Sequence, residues 1–440
     1  MTTRFLLRGG CVLTLGAKTP NFAEADLLIE DGRVAEVGPG LRARDAELVD
    51  ATDTIVMPGF VDTHRHAWTS LFRNLGEAAQ DPLTLAGDHF GPDDVYAATL
   101  IGLLGAVEAG ITTVVDFADV PLEAAAADAA LQAHADAGLR TVFVHVAPRG
   151  GQRHQDGGSA TRADLRRLRE GAGPSTAIAF GSGELWPADR GEAAGEWATA
   201  RELGMRIHVH AGHQASKPGA LSGAAAQGLL RDDVTLVHCS QLDDADLEAI
   251  STSKASVSLA PSSEVAGGLG ASPVQQLIDR DIKPGLGVGD ERVAPGDMFA
   301  PMRGTISMQH AVVFDLKLAG KAGLPKLMNT RDVIRCATIE GARVAGWGGV
   351  TGSLEPGMQA DVIVLRTDRP NIYPINDPIG AVVWGMDTSN VDWVFSGGRV
   401  LMREGALQAD VQRARDLATS ARERVAVASG LVVGARGGEG

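Results

Sequence analysis

Between residues 55 and 290 the chain repeats one pattern, a short β-rich run followed by a longer Ala/Leu-rich stretch of helical character. The runs are IVMPGFVDTH from 55, ITTVVDFA from 111, RTVFVHVA from 140, TAIAFGS from 176, MRIHVHA from 205, VTLVHCS from 234, ASVSLAP from 255 and KPGLGVGD from 283, eight in all. Helical candidates such as DDVYAATLIGLLGAVEAG, LEAAAADAALQAHADAG, GEAAGEWATARELG and DDADLEAISTSK fill the intervals. Each opens near Asp, Glu or Pro, and several end at Gly, as helices prefer. Strand-then-helix alternation signals parallel β/α units. Eight of them point to an α/β fold of (β/α)8 TIM-barrel type, although a doubly wound open sheet shows the same alternation.

The flanks read differently. Residues 3 to 50 (RFLLRGGCVLTLG, ADLLIEDGRVAEVG) and 350 to 405 (GSLEPGMQADVIVLRTD, VDWVFSGGRVLMREG) are short strands with turns. Each is small for a core of its own, so residues 1–56 and 350–407 are expected to pair into one small β-sandwich domain around a barrel spanning 57–349. Residues 408–440 then supply a polar surface helix and a flexible tail.

With 40 Lys+Arg against 55 Asp+Glu, the formal charge of −15 repels phosphate backbones and argues against nucleic acid or an anionic membrane as partner. A small-molecule substrate is expected instead. No uninterrupted apolar run of about eighteen residues occurs, and the start, MTTRFLLRGGCVLTLG, lacks a secretory pattern, so the expected location is the cytoplasm. Cys11, Cys239 and Cys336 are far apart without CxxC spacing, which supports neither a disulfide framework nor a Cys-type zinc site.

Chemistry-bearing residues gather where the strand runs end. His64 and His66 follow the first run, His208 and His210 end the fifth, His238 ends the sixth, Glu264 follows the seventh and Asp290 ends the eighth. In a TIM barrel these C-terminal ends converge on one mouth. Eleven histidines scattered at random over 440 residues give about 0.3 His-x-His pairs, yet HRH and HVH both occur. Residues i and i+2 of a strand share a face, so His64 and His66 can chelate one metal ion with Asp290 as partner.

PGFVDTHRH, HVHAGH, LVHC and GVGDERVAPGDMFAPMR resemble the amidohydrolase superfamily, in the branch of nucleobase-type and S-adenosylhomocysteine-type deaminases and triazine hydrolases. NTRDVIRCATIEGARVAG and GSLEPGMQADVIVL extend the likeness over nearly the whole chain. The resemblance implies a distorted barrel, a flanking β-sandwich and a divalent metal that activates water for attack on a carbon bearing nitrogen or another leaving group. It places metal ligands at His64, His66, His210 and Asp290, and the strand-six histidine at His238. TAIAFGSGELWPAD holds no lysine where two-metal members bridge their ions, which implies one divalent metal per chain, best Zn2+, with Fe, Mn or Co also served by such ligands. His208, one pleat deeper than His210, takes a supporting role.

The departures are specific. Deaminases of this branch have Glu three residues beyond the strand-five ligand, whereas here the place is held by His213; either His213 or Glu264 is the candidate to replace that proton shuttle. Strand eight reads GVGDE, which leaves Glu291 as an adjacent alternative to Asp290. Trp68, Phe72 and Arg73, in the loop after strand one, are the candidate substrate contacts, while Asp116 and Asp119 read as structural. In the implied chemistry Asp290 takes a proton from the attacking water and His238 steadies the developing oxyanion. The expected function is therefore metal-dependent hydrolysis of a non-peptide C–N bond in a small, heterocyclic substrate. Hydrolytic dechlorination of a heteroaromatic compound is the alternative, followed by a silent binding protein on the same fold. A homodimer is the default assembly.

Overall fold

Two sheets contain all the strands described in the computed structural model, which covers residues 4–73, 86–119, 124–146, 159–182, 190–212 and 219–431. The first sheet draws on both ends of the chain. From the N-terminal side come β1 (Arg4–Val12), β2 (Phe22–Glu30), β3 (Arg33–Gly38), β4 (Glu47–Asp50) and β5 (Thr54–Pro58). The barrel strands β6 to β13 intervene, and β14 (Val362–Arg366), β15 (Val391–Ser396), β16 (Arg399–Arg403) and β17 (Ala406–Leu407) complete it. Strand β5 joins the two halves, running parallel to β1 on one side and antiparallel to β14 on the other. The small β unit is thus one nine-stranded hydrogen-bonded sheet, whose alternate residues Phe5, Leu7, Leu27, Ile29, Val362, Val364 and Phe395 close over a core of their own.

The second sheet is parallel throughout and follows chain order: β6 (Phe60–Arg65), β7 (Ile111–Ala118), β8 (Arg140–Val146), β9 (Thr176–Ser182), β10 (Ile207–Ala211), β11 (Val234–His238), β12 (Ser256–Leu259) and β13 (Gly285–Leu286). Most of these strands carry β-branched residues that suit a sheet buried on both faces, although β13 is only Gly285–Leu286. The first and last strands meet through a single bridge. The Gly289 N–H donates to the His64 carbonyl at 2.7 Å, and the Gly289 carbonyl accepts from the His66 N–H at 3.1 Å. Closure of the barrel therefore passes through the backbone of two proposed ligands.

One sequence expectation needs correction. The run IVMPGFVDTH is not one strand; it breaks at Gly59, with Ile55 to Pro58 in the small sheet and Phe60 onward in the barrel. A β-carbon at Gly59 would lie 2.2 Å from Thr112, so only glycine lets the chain cross so close to β7. A second tie joins the two units, since the buried Arg140 of β8 donates through Nε to Asp361 Oδ2 at 2.8 Å just before β14.

Alternation sorts the barrel residues into layers. Val115, Phe117, Val142, Val144, Ala179 and Val237 fill the interior, and Ala342 and Ala345 close its far end. Ile207, Val209 and Ala211 of β10 instead face the helices, which leaves His208 and His210 inside. The helix Val411–Ser429, capped by Asp410, packs on the helix Pro92–Glu108. All three cysteines are free, and no helix among the described residues is long and apolar enough to cross a membrane.

Candidate active site

Four imidazoles meet at the C-terminal mouth of the barrel. Ring centroids of His64 lie 4.8 Å from His66, 5.1 Å from His210 and 5.1 Å from His238, and His210 stacks on His238 at 5.3 Å. Phe117 forms the floor, stacked on His210 at 4.9 Å and edge-on to His64 at 4.5 Å. His64, His66 and His210 offer ring nitrogens that all lie within 4.8 Å of one another.

Local backbone explains how each ring arrives there. In β10 the two-residue period carries His210 inward. In β6 the pairing register with β7 slips between Asp62 and Arg65, and this irregularity re-aims the strand end that bears His64 and His66. His238 breaks the alternation altogether. Val237 already occupies the inward position, but His238 takes φ 74° and Cys239 φ 57°, a left-handed turn that swings the imidazole into the mouth. Such strain in non-glycine residues persists only where the surroundings hold it.

The donor set fits a divalent metal. Burial, reinforced by the neighbouring imidazoles His66, His238 and His210, holds the His64 pKa well below the ordinary 6.5, so the ring presents a lone pair. Its Nδ1 is also buried without a hydrogen-bond partner. His66 is held differently, because its Nδ1–H donates to Asp119 at 3.1 Å, leaving Nε2 as its ligand atom. Burial alone would lower the His66 pKa; the Asp119 carboxylate outweighs it and raises the value.

Asp290 lies outside the three-histidine group, although its charge is felt at His66. Its Oδ1 accepts the Arg292 N–H at 2.9 Å and its Oδ2 accepts Arg292 Nε at 2.7 Å. Burial would raise this carboxyl, but the Arg292 guanidinium holds it below the ordinary range. Glu291 points elsewhere, into a buried chain of charges. Arg65, wholly buried, donates to Asp62 Oδ2 at 2.7 Å and to Glu291, which also accepts from Ser70 Oγ and Arg73 Nε, both at 2.6 Å. Glu291 is therefore committed to fastening the strand-one loop, and of the two adjacent acids Asp290 is the one whose charge is felt at His66.

Other candidates are placed as follows. Glu264 is fully buried behind His238, accepting His238 Nδ1–H at 3.2 Å and the Ala260 N–H at 2.8 Å on Oε1, with Ser272 Oγ on Oε2. Trp68 and Phe72 are both buried and join Phe90 in edge-to-face contacts, and Trp68 Nε1 donates to Asp119 at 2.8 Å. His208 sits below His210 with neither ring nitrogen hydrogen-bonded, and burial, with Arg206 adding to it, pushes its pKa down to about 3. His213 lies outside the described residues. Asp116, read as structural, accepts from the Ala67 N–H and from His134 Nε2, each at 2.8 Å. Asp119 was the residue undervalued by sequence, its signal being an acid at the end of a strand adjacent to the HRH segment.

An imidazole cluster at the mouth of a parallel eight-stranded barrel stands where barrel enzymes build their active sites. The chain belongs to the amidohydrolase family, whose model matches residues 55–401. It is 28% identical over 445 residues to a 5-methylthioadenosine/S-adenosylhomocysteine deaminase of Syntrophus aciditrophicus, covering 95% of this chain and 97% of that one. A 5'-deoxyadenosine deaminase of Methanothermobacter thermautotrophicus is 28% identical over 410 residues, with coverage of 87% and 90%. Among solved structures, a zinc-bound adenosine deaminase from Xanthomonas campestris superposes with a TM-score of 0.82 at 20% identity, over 97% of this chain and 99% of that one. An atrazine chlorohydrolase mutant from Arthrobacter aurescens, complexed with zinc and atraton, gives 0.83 at 21% identity over 95% and 100%. At such identities the structural likenesses establish the fold alone.

Proposed function

We propose that this hydrolase acts on a small heterocyclic substrate, removing an exocyclic amino group or opening a ring amide, with one zinc ion held by His64, His66, His210 and Asp290. The convergence of His64, His66 and His210, whose ring nitrogens lie within 4.8 Å of one another, with the charge of Asp290 felt at His66, carries this reading. Bound zinc would lower the pKa of a water molecule and polarise the scissile bond. Asp290 would accept the proton of that water as oxygen adds to the electrophilic carbon, and would return it to the departing nitrogen. Doing so requires the Arg292 fork to loosen from at least one carboxylate oxygen.

With both ring nitrogens carrying protons, His238 would donate through Nε2 to the developing oxyanion while Glu264 holds its Nδ1–H from behind. Glu264 thereby moves from proton carrier to positioning residue, because both of its oxygens are engaged away from the mouth. The strand-five proton transfer falls to His213 in this reading. The missing glutamate there also supports a second reading, hydrolytic dechlorination, which needs no proton delivered to its leaving group. The deaminase names of the curated relatives favour the first.

Zinc-loaded protein incubated with purines, pyrimidines, chlorinated and aminated triazines and cyclic amides separates these readings. Ammonium release or ring opening supports the proposal, chloride release without ammonium supports dechlorination, and no turnover of any class refutes both. Size-exclusion chromatography and cell fractionation check the accompanying expectations of a homodimer in the cytoplasm.

A further inference from the structure

The two histidines of HRH are held unequally. His64 Nδ1 has no partner, whereas His66 Nδ1 is gripped by Asp119 at 3.1 Å, and the same oxygen, Oδ1, accepts the indole N–H of Trp68 at 2.8 Å. Asp119 follows β7 immediately, and Trp68 lies two residues beyond His66 in the 3-10 turn Ala67–Phe72. An imidazole, a carboxylate and an indole from two neighbouring strand ends thus share one oxygen. Trp68 is itself immobilised by Phe72 and Phe90 at centroid distances of 6.3 and 5.4 Å, so the carboxylate is fixed from the far side by a packed aromatic group.

We propose that Asp119 is the positioning residue of the metal centre, selecting the Nε2-ligating tautomer of His66, and that Trp68 anchors it and so couples the wall of the pocket to metal occupancy. This inference rests on the assignment of His66 as a ligand. A carboxylate on the far nitrogen of a ligating imidazole fixes ring orientation and strengthens its lone pair, and losing such a partner typically costs about 10–100-fold in metal affinity. The sequence suggests a substrate contact at Trp68 and a structural role at Asp119; the shared oxygen gives both a common task.

Chelator competition for zinc on the full chain, with wild type, His66→Ala, Asp119→Ala, Asp119→Asn and Trp68→Phe, tests it. Asp119→Ala should bind zinc about 10–100-fold more weakly, Asp119→Asn, which keeps an oxygen acceptor, should recover part of that loss, and Trp68→Phe should lose less than Asp119→Ala. The emission of Trp68, isolated as the difference between wild type and Trp68→Phe, should change on zinc titration. The corresponding difference between Asp119→Ala and the Asp119→Ala/Trp68→Phe double variant should not. Wild-type affinity in Asp119→Ala and Asp119→Asn while His66→Ala loses zinc overturns this inference and spares the ligand assignment. Zinc binding unaffected by His66→Ala overturns the ligand assignment itself. If Asp119→Ala does not fold, Asp119→Asn and Trp68→Phe decide the matter, and equal affinity in both contradicts the proposal.

Discussion

The two sides of the mouth are built on opposite principles. On the strand-one and strand-five side, His64, His66 and His210 crowd together as close-set imidazoles, one of them with a buried, unpartnered nitrogen. On the strand-six to strand-eight side each group is already occupied, His238 by Glu264 and Asp290 by Arg292. A buried lone pair without a donor, as at His64 Nδ1, is costly and is relieved by a cation. Paired acids and bases are instead held in one orientation and ready to exchange protons. One half of the site is made to hold an ion, the other to handle the proton.

That contrast can be broken by substitution. His66→Ala and His210→Ala should strip zinc and abolish turnover together, a loss of at least about 1,000-fold if the ion supplies the nucleophile; full zinc content in either by elemental analysis would dissolve the distinction. Asp290→Asn should retain some zinc and yet lose about 100–10,000-fold in kcat, as expected for removal of a general base. Glu264→Gln should leave zinc content intact and cost about 10–100-fold in kcat, because only the orientation of His238 suffers. Loss of zinc in Glu264→Gln would place the two sides in a single ligand set.

The smallest effect is expected outside both halves. His145 of β8 is buried, and burial, with Arg167 opposing Asp164, lowers its pKa below the ordinary 6.5. The unfolded chain takes up a proton near 6.5 and the folded chain resists, so stability is fully present above that value and declines as pH falls below it. His145→Gln should flatten the acid limb of the stability curve by at most about 1.4 kcal/mol per pH unit, with zinc binding and turnover unchanged. Denaturant midpoints between pH 7 and 5 would show it.

The ligand side was legible in the sequence for a physical reason. Strand period and strand order put His64, His66 and His210 at one end of one barrel without knowledge of any side-chain contact. The barrel itself followed from the eight runs, apart from the first, which Gly59 divides between two sheets. The proton side was less legible, because its meaning lies in pairings that depend on register. Alternation would turn His238 outward, and only its left-handed backbone brings it in. Glu264, a shuttle candidate by sequence, has three hydrogen bonds that only the fold reveals, and Arg73, a candidate substrate contact, also donates through Nε to Glu291. Asp119 could not be distinguished from Asp116 by spacing, since what separates them is which face of β7 and its end each one serves.

The central claim, that the three-histidine cluster holds the ion on which hydrolysis depends, is tested most directly by titrating zinc into chelator-stripped protein while following ammonium release from the best substrate of the panel. Turnover should rise in proportion to bound zinc, saturate at about one ion per chain and stay absent in His210→Ala at any zinc concentration. Undiminished turnover in the stripped protein, or in His210→Ala, would contradict the account.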